Sequence, residues 1–94
     1  MTDSGSAPGI DLDCGIACRR ITSWLDDELH LPREGAAWVY SEGAYSCRIQ
    51  AEPLGNQTVG RITLERTRLT ARGDAEALAP FRKAFTLRFI SAGG

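Results

Sequence analysis

Residues 37–72 read AWVYSEGAYSCRIQAEPLGNQTVGRITLERTRLTAR, and the reading of this stretch decides the fold. Residues 37–40, 45–52 and 58–72 read as three strands, with apolar and polar residues alternating through 45–52 in the period of a strand with one covered face. Glu42-Gly43 is read as a tight turn, and Gly55-Asn56 suits a two-residue hairpin turn. With those turns Tyr40 faces Tyr45, Trp38 faces Cys47, Ile49 faces Ile62, Cys47 faces Leu64 and Ala51 faces Gly60. Both registers gather Trp38, Tyr40, Tyr45, Cys47, Ile49, Ile62 and Leu64 on one face, the candidate core. Register is strongly specified where one face is buried, so this agreement predicts a three-stranded antiparallel meander. Ser46, Arg48, Gln50, Glu52, Arg61, Thr63 and Glu65 fall on the opposite face. Leu69 and Ala71 break the alternation. A bulge near Arg66-Thr67 restores it and adds Arg68, Thr70 and Arg72 to the polar face.

Upstream, Cys14, Ala17, Cys18, Ile21, Trp24, Leu25 and Leu29 recur at spacings of three and four. They form the apolar stripe of a helix over about 14–31, capped by Asp11 or Asp13 and ended by Pro32. Downstream, Gly73-Asp74 ends the last strand. Phe81, Phe85 and Phe89 then stack at i, i+4 and i+8 of a second helix, kinked or started at Pro80. Residues 85–90 also alternate, which keeps a fourth strand open as the alternative. The expected order is α-β-β-β-α, with both helices on the apolar face of the sheet: a two-layer α+β domain. Residues 1–12 read as a flexible tail, 13–91 as a single domain and 92–94 as a short tail.

Ninety-four residues suffice for one domain. Hydrophobic residues make up 43% and charged residues 24% of the chain, and its net charge is −1. These values argue against disordered, collagenous, disulfide-scaffold and strongly basic nucleic-acid classes. No run approaches a membrane span, and the N-terminus lacks the basic and apolar regions of a secretory signal. A cytoplasmic location with reduced thiols follows. Ten arginines against the single Lys83 suggest GC-rich bacterial coding. Charge is segregated: residues 1–34 carry seven acids and three bases, residues 35–94 five acids and eight bases. Such a split reads either as an acidic helix face beside a mixed sheet or as a bipolar surface that docks an acidic partner.

The chemistry-bearing residues are few. Three cysteines and His30 match the ligand count of a zinc site, but on a continuous helix His30 lies about 18 Å from Cys18. Zinc ligands must all lie about 2.0–2.3 Å from one ion, so no metal is expected and the thiols read as packing residues. Cys14 and Cys18 are spaced CxxxC rather than CxxC. Near a helix N-terminus the pKa of Cys14 falls, which makes Cys14 the candidate reactive thiol. His30 reads as a helix-capping residue, with no Ser or Cys nucleophile placed beside it. No Walker A, GxGxxG or GxSxG motif occurs, so neither a cofactor nor a catalytic residue is expected.

The order α-β-β-β-α is similar, in topology alone, to that of double-stranded RNA-binding domains. Those domains carry a lysine-rich start to the last helix, whereas Gly73-Asp74-Ala75-Glu76-Ala77 is acidic, so that function is not carried over. The terminal Gly93-Gly94 is similar to the tail of ubiquitin-like sulfur carriers, but a helix rather than a strand is expected before it. Arg48, Arg61, Arg66, Arg68 and Arg72 remain as the candidate surface for a protein partner or a nucleic acid. They lack the interleaved exposed aromatics of single-strand platforms, and Glu52 and Glu65 share their face. The expectation is a non-enzymatic protein-interaction or assembly module that binds an unidentified partner or itself. A weak nucleic-acid binder using the arginine face is the alternative.

Overall fold

The computed structural model describes residues 9–90. It contains a five-stranded antiparallel sheet with two helices, an α+β architecture. In chain order the elements are β1 (Gly9–Cys14), α1 (Cys18–Ser23), β2 (Arg33–Glu34), β3 (Ala37–Glu42), β4 (Tyr45–Val59), β5 (Ile62–Gly73) and α2 (Ala75–Phe85). A wider π-helical turn extends each helix, over Trp24–Glu28 and Thr86–Ile90. The sheet order is β1-β5-β4-β3-β2. The β-α-β-β-β-β-α order therefore departs from the α-β-β-β-α order expected from the sequence. It departs equally from the RNA-binding topology that the expected order resembles.

The two added strands have local causes. Ile10-Asp11-Leu12-Asp13 alternates with period two, so these residues form β1 rather than a tail or helix caps. Ile10 is buried and Leu12 half-buried beneath the helices, while Asp11 and Asp13 face outward. The helix expected over 14–31 consequently begins only at Cys18. His30 closes it in the left-handed region at φ 53°, two residues before Pro32. The C-terminal segment is helical, not a fourth strand, because Phe81 and Phe85 must share one buried stripe.

Three Gly-X turns set the strand pairing. Gly35-Ala36, Gly43-Ala44 and Gly60-Arg61 each connect neighbouring strands through two residues. Each glycine takes a φ of 61–62°, which suits the first central position of a type II′ turn. Trp38 therefore faces Ile49 rather than Cys47, two residues out from the expected register but on the same face. Gly55-Asn56 is not a turn. It lies within β4, where Leu54 is the extra residue of a bulge between Pro53 and Gly55. This irregularity stands opposite Arg66-Thr67, so it repairs the alternation where the sequence requires it but on the facing strand.

The core gathers Ile10, Ile21, Trp24, Leu25, Trp38, Cys47, Ile49, Leu69, Ala71, Ala77, Leu78, Phe81 and Phe85 in one cluster between sheet and helices. Trp24 carries the contact between the helical segments, its ring 5.3–6.0 Å from those of Phe81, Phe85 and Phe89. Ile62, Leu64 and Tyr45 do not join this core: they are 62%, 45% and 45% exposed, and Tyr40 is half-buried. Moving the turn from Gly55-Asn56 to Gly60-Arg61 lengthens the β4–β5 hairpin beyond the helices. Residues 52–65 are exposed throughout and form a two-stranded arm. At a rise of about 3.3 Å per residue, the arm reaches about 20 Å from Pro53 to Val59. The radius of gyration, 14.3 Å, exceeds the ~12 Å of a compact chain of this size for that reason.

Candidate functional site

Two surfaces carry the candidate residues: the sheet face away from the helices, and the arm. Alternation along β5 places Arg66, Arg68, Thr70 and Arg72 on the open face. Cross-strand register adds Asp11 and Asp13 from β1 and Arg48, Gln50 and Glu52 from β4. Arg61 does not belong to this face, because it occupies the turn at the tip of the arm. The expected five-arginine surface is therefore divided into four on the face and one at the tip.

The four face arginines are interleaved with carboxylates. Arg68 donates to both oxygens of Asp11, Nε to Oδ1 at 3.0 Å and Nη2 to Oδ2 at 2.7 Å. Its guanidinium holds the Asp11 carboxyl below the usual carboxylate value, with Arg72 adding to the effect. Arg66 makes the same two-pronged contact with Asp13, and Arg48 pairs with Glu34 of β2. The sheet twist explains the diagonal pairing, since Asp13 stands directly across from Arg68 yet reaches Arg66. Sequence reading missed Asp11, Asp13 and Glu34 as partners because β1 and β2 were not read as strands. With Glu52, four acids stand against four arginines on this face.

Arg48 and Arg72 lie directly opposite each other across β4 and β5, beside a depression of about 260 Å³ lined also by Glu34, Ala37, Gln50 and Thr70. A second depression of about 150 Å³ over Gln50, Glu52, Arg68 and Thr70 adjoins it. Both are smaller than the ~300–1,000 Å³ clefts that hold drug-sized ligands.

The thiols are placed for packing. Cys14 ends β1 rather than starting a helix, and its Sγ donates to the carbonyl of buried Thr67 at 3.4 Å. Burial pushes the Cys14 thiol up, opposite to the lowering expected at a helix N-terminus. Burial raises Cys18 and Cys47 as well. Among the described residues no group of three or more His, Cys, Asp and Glu side chains is assembled around a common point. No described helix is long and apolar enough to cross a membrane. Gly93-Gly94 lies outside the described residues.

The arm is the surface that sequence reading misplaced. The bulge at Leu54 shifts β4's alternation, so Val59, Ile62 and Leu64 emerge on the open face, while Asn56, Thr58, Thr63 and Glu65 take the other. Val59 is 57% and Leu54 43% exposed. The missed signal was Gly60-Arg61, which matches the Gly-X form of the other two hairpin turns.

No protein-family model matches the chain, and neither a curated protein nor a solved structure is significantly similar to it. The functional reading therefore rests on the geometry above.

Proposed function

We propose that the chain is a small non-enzymatic interaction or assembly module whose docking element is the β4–β5 arm. The observation that carries this reading is an arm exposed on both faces, with Leu54, Val59, Ile62 and Leu64 all at least 43% exposed. A two-stranded ribbon is marginally stable by itself, and a third strand or a packed face is what stabilises it. Contiguous exposed apolar side chains of this kind mark association surfaces.

The test compares the wild type with a variant whose residues 55–64 are replaced by a two-residue turn. Each is used as bait in native lysate, with thermal melts as a folding control. A defined partner, or the protein itself, retrieved by the wild type and lost from a stably folded short-arm variant is the expected result. Identical retrieval by both refutes the arm as docking element. The nucleic-acid reading ranks second, because three of the four face arginines, Arg48, Arg66 and Arg68, already have carboxylate partners. Oligonucleotide binding that weakens steeply with salt, as counterion release requires, is the result that would promote it.

A further inference from the structure

The arm's two edges differ. On β4 the outer edge is interrupted by Pro53, the bulge at Leu54 and Gly55, devices that blunt a strand against further pairing. On β5 the outer edge has no such interruption. β1 covers it only from Thr67 to Arg72, so no strand pairs with Ile62-Thr63-Leu64-Glu65 on that side among the described residues. Closure of the two-residue turn makes Val59 and Ile62 a hydrogen-bonded pair. Alternation then directs the backbone N–H and C=O of Thr63 and Glu65 outward.

We propose that this edge pairs with the same edge of a second copy, antiparallel and centred on Thr63, to give a homodimer with a four-stranded arm. The proposal rests on the reading of the arm as the docking element. Self-complementarity of Arg61-Ile62-Thr63-Leu64-Glu65 identifies the occupant. With Thr63 opposite Thr63 of the second copy, Ile62 faces Leu64, Leu64 faces Ile62, and Arg61 faces Glu65 at both ends. Apolar meets apolar, threonine meets threonine and opposite charges meet, each a favourable cross-strand pair. The phase is also correct, since Thr63, which meets its own copy at the centre, and Glu65 are residues whose backbone groups point outward. Val59, Ile62 and Leu64 of both copies then form one apolar strip on a single face. Glu65 is free to accept the second arginine, because its present partner Arg19 is an exposed contact at 3.4 Å. An interface of this size lies at the small, transient end of specific association.

The experiment is sedimentation velocity from about 1 µM to about 1 mM, a range that brackets weak dimers. The wild type is expected to pass from monomer to dimer. Arg61→Glu sets like charges opposite each other twice and should weaken dimerisation by roughly tenfold or more. The exchange Arg61→Glu with Glu65→Arg should restore it, because both pairs re-form with reversed sign. Thr63→Pro should abolish it while leaving the monomer's melting temperature unchanged, since the lost N–H faces the free edge. A wild type that stays monomeric throughout overturns the proposal, as does a dimer indifferent to Thr63→Pro or to the charge exchange. In the monomeric case, a photocrosslinker at position 63 separates the two readings. Crosslinking to a different protein leaves the arm as docking element standing, and no crosslink removes both.

Discussion

Trp38 is the residue on which the sheet register and the helix packing both depend, so its removal is the sharpest test of the fold. The side chain is 4% exposed and sits in the core cluster, directly across from Ile49. Its indole N–H donates to Asp26 Oδ1 at 2.7 Å, which ties β3 to the turn that extends α1. On its other side the Arg33 guanidinium lies 4.1 Å from the ring centroid. Trp38→Ala removes the buried indole, a change that costs about 3–5 kcal/mol in well-packed cores. Loss of the cation–π contact adds about 0.5–1 kcal/mol. A domain of this size has a total stability of roughly 4–12 kcal/mol, so the variant should lie near its folding threshold. Trp38→Phe keeps most of the apolar area and loses the Asp26 bond. Asp26 is exposed and can hydrate, so the cost should be about 1–2 kcal/mol. Urea denaturation followed through the fluorescence of Trp24, the other tryptophan, measures both. At a slope of about 1 kcal/mol/M, Trp38→Ala should lower the midpoint by about 3 M or leave no folded baseline. A loss below about 1 kcal/mol for Trp38→Ala would mean that the sheet faces are inverted.

Three further outcomes follow from particular contacts. Gly73 has φ 147°, and a Cβ there would meet the Ser46 carbonyl oxygen at 2.5 Å and Cys47 Cα at 2.6 Å. Gly73→Ala should therefore cost about 3 kcal/mol in chemical denaturation, while Gly15→Ala, with open space around it, should change stability by less than about 0.5 kcal/mol. Because burial raises all three thiols, native Cys14 and Cys18 should react with a disulfide reagent at neutral pH more slowly than a free thiol. Cys47 should react only on unfolding, and fast labelling of native Cys14 would contradict its placement. The depressed Asp11 pKa means that its pairing favours the folded state above the unfolded value of about 3.9, and that this contribution is lost as pH falls through the lower native value. Carboxyl NMR titration should show the Asp11 midpoint below that of an ordinary aspartate, moving up in Arg68→Ala.

The parts of this fold legible in the sequence are those governed by a single period within one element. The stripe through Ile21, Trp24 and Leu25, the stack of Phe81 and Phe85, and the inward set Trp38, Cys47 and Ile49 all follow from spacing alone. Parity survives an error in register as long as the shift is even, which is why the face of these strand residues was correct although the pairing register was off by two. Ile62 and Leu64 were lost for the complementary reason. Their side of the sheet depends on whether β4 carries an extra residue, and the bulge at Leu54 reversed it. Gly55-Asn56 and Gly60-Arg61 are both acceptable turn dipeptides locally. What separates them is tertiary: only the second lets Leu69 and Ala71 of β5 lie across from Ala51 and Ile49 beneath the helices. The arginine surface was legible as positions but not as charge, because its partners Asp11 and Asp13 lie on a strand too short to stand out beside the helical stripe that follows.

The charge segregation along the chain changes meaning for the same reason. Residues 1–34 are net negative and 35–94 net positive, which in an extended reading suggests a bipolar surface. In the fold, four of the five ion pairs among the described residues join an acid of the first segment to an arginine of the second: Asp11 with Arg68, Asp13 with Arg66, Glu34 with Arg48, and Glu28 with Arg88. Exposed pairs of this kind contribute about 0–1 kcal/mol each, too little to be the source of stability. Their consequence is positional. They fasten β1 to β5, β2 to β4 and the two helical ends to each other, and they turn a separation in sequence into local neutrality in space. Neutralised in this way, the open face offers little field to attract an anionic partner. The arm tip escapes the neutralisation, because none of the described acids of residues 9–34 pairs with Arg61, which stands beyond the end of β1. On the proposed reading, the charge at the tip and the apolar pair beside it are what a second copy, rather than the rest of the chain, satisfies.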